Sequence, residues 1–207
     1  MYAPTQFDET RPALLRGLIE QHPLGTLITH GAEGLTADPI PFEIGAPSEQ
    51  APHGVLRAHV ARANPVWRRA GSEALVVFQG ASAYVSPSLY EEKRVSGKVV
   101  PTWNYAVVQG RGTLRAIEDP ESLLALLDSL TTAHETRRSA PWSVHDAPRD
   151  YIDKLLNMIV GIEIPLESLQ GKWKLSQNRS AQDQRMIEAD MDSLTARAMQ
   201  LRATSQG

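Results

Sequence analysis

Two segments that lie far apart in the sequence combine aromatic rings with uncharged or cationic hydrogen-bond donors. They are residues 100–105, Val-Pro-Thr-Trp-Asn-Tyr, and residues 171–179, Gly-Lys-Trp-Lys-Leu-Ser-Gln-Asn-Arg. Ordinary core strands avoid this mixture, because a buried amide or ammonium group without a partner costs about 1–3 kcal/mol. A planar, polar, phosphorylated ligand offers partners to all of these groups, so the two segments predict a site for such a ligand.

Each segment also has a simpler structural interpretation. In a strand over residues 101–108, alternation would place Asn104 on one face and Trp103 and Tyr105 on the other. That strand could belong to an aromatic core, with the Asn104 amide bonded to a neighbouring backbone. The second segment could be a solvated loop that is anchored by a single tryptophan.

Two shorter segments add hydrogen-bonding groups where strands are predicted to end. His59, Arg62 and Asn64 lie where a strand turns into a short helix, and cations with free backbone N–H groups at such a turn suit a phosphate dianion. Residues 79–86 follow the most apolar strand, and Gly80 permits a close approach by a ligand or by another strand. The alternatives are a solvated turn capped by Asn64 and a simple β-bulge.

Composition and missing motifs exclude several classes of function. The chain has 207 residues, a net charge of −3 at pH 7 and no cysteine. It therefore has no disulfides or cysteine zinc sites, and it lacks the basic excess of a dedicated nucleic-acid-binding protein. No phosphate loop, dinucleotide fingerprint or nucleophile elbow is present, and the six histidines show no metal-binding spacing. We predict no catalytic side chain and no metal site.

Apolar patterning predicts a mostly β chain with flanking helices, an α+β fold. Helices are expected over residues 10–21, 119–134 and 148–158 and after residue 180. In the last helix, one face carries Ile187, Met191, Leu194, Ala198 and Leu201. Strands are expected over residues 24–30, 35–44, 55–60, 74–79 with a continuation at 83–86, 100–117 and 159–164. Because strands and helices do not alternate regularly, we predict a mostly antiparallel barrel with helices packed outside. We expect one domain over residues 1–179 and a helical appendage over residues 180–207.

The cellular location is predicted from two absences in the sequence. The first ten residues lack the apolar segment of a signal peptide, and no apolar run approaches the roughly 20 residues that span a bilayer. We therefore expect a cytoplasmic protein.

Several strings of the sequence resemble those of one known protein family. They are Met1-Tyr-x-Pro-x-x-Phe, His59-x-Ala-Arg-Ala-Asn-Pro-x-Trp67, Tyr84-Val-Ser-Pro87 with Tyr90 and Lys93, Val100-Pro-Thr-Trp-Asn-Tyr105, Ile159-Val-Gly-Ile-Glu-Ile164 and Gly171-Lys-Trp-Lys-Leu-Ser-Gln-Asn-Arg179. They resemble the PaiB-type FMN-binding negative transcriptional regulators, and the resemblance extends from Met1 to about Arg179. The Thr-Trp-Asn-Tyr and Lys-Trp-Lys-Leu-Ser-Gln-Asn strings are rare and specific.

The resemblance implies a fold, a cofactor and partners. The fold would be an FMN-binding split β-barrel similar to that of pyridoxamine-phosphate oxidases and flavin reductases. FMN would lie at a homodimer interface, where both chains touch it. DNA is implied as a partner by the resemblance only, because the acidic balance of the chain gives it no support.

The resemblance also implies which residues bind the cofactor. His59, Arg62 and Ser86 would hold the phosphate, and Trp103 with its neighbours would line the isoalloxazine pocket. The complete predicted set is His59, Arg62, Asn64, Tyr84, Ser86, Thr102, Trp103, Asn104, Tyr105, Lys172, Trp173, Lys174, Gln177 and Asn178. The related oxidases typically use Ser or Thr with Lys or Arg at the phosphate turn, so His59 and Asn64 are departures there.

Three functional hypotheses follow. The first is a redox or ligand sensor that works through a bound flavin, as a PaiB-type regulator. The second is a flavin-dependent oxidoreductase, either an FMN reductase or an enzyme like pyridoxamine-phosphate oxidase, in which the flavin carries the chemistry and no protein nucleophile is needed. The third is a metabolite-binding protein without flavin.

Overall fold

A computed structural model describes residues 1–191, 195–196 and 200 of the chain. Its helices and strands, in chain order, are β1 (Asp8–Glu9), α1 (Pro12–Gln21), β2 (Leu24–Gly31), β3 (Gly34–Pro41), β4 (Glu43–Gly45), β5 (Val55–Ala61), β6 (Glu73–Val85), α2 (Glu92–Val95), β7 (Thr102–Thr113), β8 (Arg115–Ile117), α3 (Pro120–Glu135), α4 (Arg149–Leu156), β9 (Ile159–Lys174) and α5 (Ala181–Asp190). Short 3₁₀ turns follow β5 and β6 and precede β1 and α4.

The strands in the described part of the chain form one nine-stranded sheet. Its order is β3-β2-β6-β7-β9-β5-β4, and β1 and β8 also pair with β9. The pairings of β2 with β3 and β6, and of β9 with β1, β5 and β8, are antiparallel. β3 carries Pro39 and Pro41 and lies at an end of this order, as expected for a strand whose prolines cannot donate to a neighbour.

The described chain divides into two compact units. Unit 1 comprises residues 1–18, 79–108 and those from 170 onward, and unit 2 comprises residues 19–78 and 109–169. The strands β6, β7 and β9 each contribute residues to both units. The segments 100–105 and 171–179 belong to unit 1, whereas His59, Arg62 and Asn64 belong to unit 2.

The helix α3 of unit 2 begins where its sequence signals predict. Asp119 caps α3 by accepting a hydrogen bond from the Ser122 backbone at 2.8 Å, and Pro120 occupies the first turn. That hydrogen bond lowers the pKa of the Asp119 carboxyl below its usual value. The inner faces of α3 and α4 share a buried cluster that includes Leu123 and Ile152.

Four strands differ from their predicted extents. The strand predicted over residues 35–44 is divided at Phe42 into β3 and β4, which lie at opposite ends of the strand order. β6 runs through Gly80 without a break. A Cβ at this position would lie 3.0 Å from a Leu18 methyl and 3.3 Å from the Ala106 carbonyl oxygen, so glycine avoids a tight contact there. The predicted strand over residues 100–117 is divided into β7 and β8 by Leu114, which is fully buried. β9 extends ten residues beyond its predicted end at Ile164 and so includes Lys172–Lys174.

The C-terminal helix is described for part of its predicted length. α5 ends at Asp190, and Ile187 on its apolar face is fully buried. Of the other residues on the predicted face, Leu194, Ala198 and Leu201 lie outside the described residues. Across the described ranges, the helices are too short or too polar to cross a bilayer.

Candidate functional site

Lys174 ties the end of β9 to the beginning of β7 in unit 1. Its Nζ donates to the Trp103 carbonyl oxygen at 2.6 Å and to the Thr102 hydroxyl oxygen. Burial lowers the pKa of Lys174 below its ordinary value, and the charges of Lys172 and Arg179 lower it further. The two predicted segments are therefore brought together around one ammonium group.

Lys172, Lys174 and Arg179 form a cluster of positive charge, which we call the cationic cluster. The Lys172 Nζ lies 5.4 Å from the centre of the Tyr105 ring, and the Arg179 guanidinium lies 4.4 Å from the centre of the Tyr90 ring. Among the described residues, none of the three cations forms an ion pair with a carboxylate. The aromatic faces stabilise the charges of Lys172 and Arg179 without neutralising them, which leaves the cluster complementary to an anion.

Asn104 and Ser176 form a buried polar pair between the same two segments. The Ser176 hydroxyl donates to the Asn104 side-chain oxygen at 2.9 Å, and the two residues are 4% and 0% exposed. Ser176 has a φ of +62°, a left-handed conformation that is uncommon for residues other than glycine. This pair fixes the turn after β9 against β7 and so positions the cationic cluster.

We expect the two smallest substitutions of Ser176 to differ in stability. Ser176→Ala loses the buried hydrogen bond and keeps the left-handed strain, so its free energy of unfolding should fall by about 1–3 kcal/mol. Ser176→Gly loses the same bond but adopts a positive φ freely, which should recover about 1 kcal/mol. Urea unfolding of both variants checks this order, and an alanine variant at least as stable as the glycine variant would contradict it.

Trp103 and Tyr84 expose aromatic faces in unit 1. Their ring centres are 6.0 Å apart with an interplanar angle of 73°, and the side chains are 55% and 51% exposed. Large exposed aromatic rings beside unpaired cations offer stacking surfaces to a planar anionic ligand. The alternation predicted for this strand is thus observed, with Asn104 buried and Trp103 exposed.

Other predicted site residues of unit 1 have structural partners. Trp173 is only 5% exposed and belongs to the core. The Gln177 amide donates to the carbonyl oxygens of Trp173 and Gln6 and accepts from the Leu175 backbone, so both of its ends are engaged. Ser86 caps a 3₁₀ turn over residues 87–89. Asn178 is exposed.

Arg62, predicted as a phosphate ligand, is bonded within unit 2. Its guanidinium donates to the Glu118 carboxylate at 2.9 Å and to the carbonyl oxygens of Asn157 and Ile159 at 2.9 and 3.0 Å. Three donors are thereby used to hold the end of β5 to the start of β9. In this geometry Arg62 has a structural role, and its predicted phosphate role stays a prediction.

His59 and Asn64, which were predicted with Arg62 at the phosphate turn, also lie in unit 2. The Asn64 side chain accepts from the Val66 backbone at 2.9 Å, so it caps the following 3₁₀ turn, and it donates to Asp38 at 3.3 Å. The Nδ1 atom of His59 is buried without a hydrogen-bond partner, and burial lowers the pKa of its imidazole. The alternative of a turn capped by Asn64 is therefore what the structure shows at that residue.

Sequence reasoning left Tyr90 and Arg179 out of the predicted site, although both belong to the family strings. Tyr90 is 1% exposed, and its hydroxyl is buried without a hydrogen-bond partner. The adjacent Glu91 backbone N–H donates to the Asp183 carboxylate at 2.9 Å, which fastens this loop to α5. A lone tyrosine in a predicted loop gives no signal of burial, because its environment is set by tertiary contacts such as that with Arg179.

Two relatives match most of the chain. A protein of the fungus Emericella nidulans is 34% identical and covers 94% of this chain and 91% of its own length. The protease synthase and sporulation protein PAI 2 of Bacillus subtilis is 32% identical and covers 88% of this chain and 85% of its own length. The predicted resemblance to PaiB-type proteins is thereby confirmed.

A solved structure agrees with the predicted fold class. The FAD and heme binding protein from Mycobacterium smegmatis superposes with a TM-score of 0.63 over 89% of this chain and 80% of its own, at 19% identity. The split β-barrel with mostly antiparallel strands and flanking helices is confirmed. A family model described as "Putative FMN-binding domain" matches residues 1–168. The chain therefore belongs to this FMN-binding family, and FMN is the cofactor that the assignment supports.

Proposed function

We propose that the chain binds FMN through unit 1 and acts as a redox or ligand sensor of the PaiB regulator type. The observation that carries this proposal is the cationic cluster, three positive charges with no carboxylate partner among the described residues beside exposed aromatic rings. An uncompensated cluster of this kind favours an anionic ligand, and a bound phosphate would relieve the repulsion among the three positive charges.

The residues present fit the chemistry of FMN. Its phosphate requires cationic donors, which Lys172, Lys174 and Arg179 supply. Its isoalloxazine ring requires planar surfaces, which Trp103 and Tyr84 expose. When bound, the flavin supplies the redox chemistry, so a protein nucleophile is not required.

The protein's own contribution would be to bind and orient the ligand. The Asn104–Ser176 hydrogen bond holds the turn that carries Arg179, and the Lys174 bond to the Trp103 carbonyl fixes the strand beneath the exposed indole. Preorganised groups of this kind reduce the cost of ordering side chains when a ligand binds.

We further propose that a second copy of the chain completes this site. Unit 1 exposes several large apolar side chains besides Trp103 and Tyr84, namely Tyr2, Val95 and Val100. The homodimer is what the family resemblance implies, and exposed apolar side chains of this size can contribute to such an interface. Light scattering on the purified protein, with and without FMN, tests the homodimer.

The deciding experiment is a fluorescence titration of the purified chain with FMN. We expect saturable binding near one FMN per chain, with affinity reduced at least tenfold in Trp103→Ala because a stacking surface is lost. Trp142→Ala is the matched control, since Trp142 is 48% exposed in unit 2 and should leave FMN affinity unchanged. Wild-type protein that fails to bind FMN would contradict the proposal and favour a metabolite other than flavin.

The same sample separates a sensor from an oxidoreductase. A sensor binds FMN but does not oxidise NADH or NADPH through repeated turnovers. An FMN-dependent oxidoreductase oxidises many molecules of the nucleotide per protein chain. Sustained turnover that depends on bound FMN would replace the sensor proposal with the enzyme.

A further inference from the structure

A cavity of about 740 Å³ lies within unit 2, and none of the predicted site residues lines it. Its walls come from the end of α1, the segment around β4 and the end of α3. The lining residues are Glu20, Gln21, Pro23, Phe42, Glu43, Ile44, Ala133, His134, Arg137 and Arg138. Its volume is within the range of about 300–1,000 Å³ that is common for small-molecule sites.

Charges of both signs line this cavity without pairing. Glu20 and Glu43 contribute carboxylates, and Arg137 and Arg138 contribute guanidinium groups. Within the described part of the chain, none of these four groups forms an ion pair. Glu43 is held in place by the Ser129 hydroxyl, which donates to its carboxylate at 2.6 Å.

A neighbouring cavity provides an internal comparison. It measures about 320 Å³ and shares Glu43 with the larger one. There the guanidinium of Arg57 is already paired, because it donates to the Glu163 carboxylate at 2.9 Å. The larger cavity therefore differs from its neighbour in leaving acid and base apart, which is the arrangement that a bridging ligand with both charges would satisfy.

We propose that the larger cavity binds a small zwitterion with a carboxylate and a primary ammonium group, namely a short peptide with free ends. Arg137 and Arg138 would hold the ligand carboxylate, because guanidinium groups bind carboxylates through paired hydrogen bonds. Glu43 and Glu20 would hold the ammonium group. Pro23 and Ile44, which are partly buried, supply an apolar surface for a side chain. A purely anionic ligand is disfavoured, because it would approach two carboxylates.

The test is isothermal titration calorimetry of the full chain with tripeptides. The probes are Ala-Ala-Ala, Ala-Leu-Ala and Ala-Phe-Ala with free ends, each beside an N-acetylated form and a C-amidated form. We expect at least one free peptide to bind, and we expect blocking either end to weaken its affinity at least tenfold. Absence of binding by every free peptide, or equal affinity for free and blocked forms, would overturn the proposal.

Variants assign the two ends of the ligand. Arg137→Ala/Arg138→Ala should abolish the dependence on the free carboxylate, and Glu43→Gln should abolish the dependence on the free ammonium group. Arg149→Ala is the control, because Arg149 pairs with Asp153 on α4 and does not line the cavity. Peptide affinity that survives both cavity variants but falls in the control would place the site elsewhere and overturn the assignment. The melting temperature of each variant, measured in the same buffer, establishes that it is folded.

Discussion

Lys174→Met should lower the affinity for FMN at least tenfold. The substitution keeps most of the side-chain volume but removes a positive charge, and a charge-assisted hydrogen bond contributes about 1.5–3 kcal/mol. The neutral side chain also loses its bonds to Thr102 and Trp103, so the strand beneath the indole is less well fixed. A fluorescence titration with FMN measures the change.

The control for this prediction is Lys154→Met. Lys154 is an exposed lysine on α4 that pairs with Asp150, and its loss should leave FMN affinity unchanged. If Lys174→Met and the wild type bound FMN with equal affinity, the cationic cluster would not be part of the flavin site. Folding of both variants is verified from their unfolding midpoints.

The lowered pKa of Lys174 gives the wild type two opposite pH dependences. An ordinary lysine has a pKa of 10.5, and burial lowers that of Lys174 when the chain is folded. Between the folded and unfolded pKa values the unfolded chain binds more protons, so without FMN the free energy of unfolding should rise with pH. FMN affinity should instead fall as pH rises through the folded pKa, because the ammonium group that attracts the phosphate is lost. Lys174→Met should show neither of these changes.

Gly112→Ala should lower the free energy of unfolding by at least about 3 kcal/mol, the upper end of the range for overpacked sites. A Cβ on Gly112 would lie 2.0 Å from the Pro165 carbonyl oxygen and 3.0 Å from an Ile164 methyl group. The nearest atom belongs to the backbone of β9, so a side-chain rotation cannot relieve the clash. Urea unfolding monitored by circular dichroism gives the change in free energy.

The adjacent Arg111→Ala is the control for Gly112. Arg111 is exposed and pairs with Glu73 at 3.1 Å, an ion pair of a kind that contributes about 0–1 kcal/mol. Its unfolding midpoint should therefore remain close to that of the wild type. If Gly112→Ala unfolded at the wild-type midpoint, the prediction would be contradicted, because the backbones of β7 and β9 could then move apart with little loss of stability.

Elements with local signals were predicted well from the sequence. The Asp119-Pro120 start of α3 depends on neighbouring residues alone, and the structure shows the expected cap. The position of β3 at an end of the strand order was also predictable locally, because Pro39 and Pro41 cannot donate backbone hydrogen bonds. The family strings supplied the fold class, which patterning alone had narrowed to a mostly antiparallel barrel.

Features that depend on distant partners were not predictable in the same way. The ion pair of Arg62 with Glu118 spans 56 positions, and no local pattern distinguishes it from a cation free to hold phosphate. The end of β9 was not predicted, because the polar residues Gln170, Lys172 and Lys174 did not suggest a strand. In the structure these residues alternate with the buried Gly171 and Trp173. Burial of Tyr90 likewise follows from a tertiary contact.

The continuity of β9 has a consequence for how the protein is dissected. The family match ends at residue 168, whereas the strand continues to Lys174. A fragment cut at the boundary of the match would sever a strand in its middle and discard the whole cationic cluster. It would also remove the residues that pair with β1. Modular boundaries for expression, fusion or domain exchange therefore belong beyond the last residue of this strand, where the backbone hydrogen bonds of the sheet end.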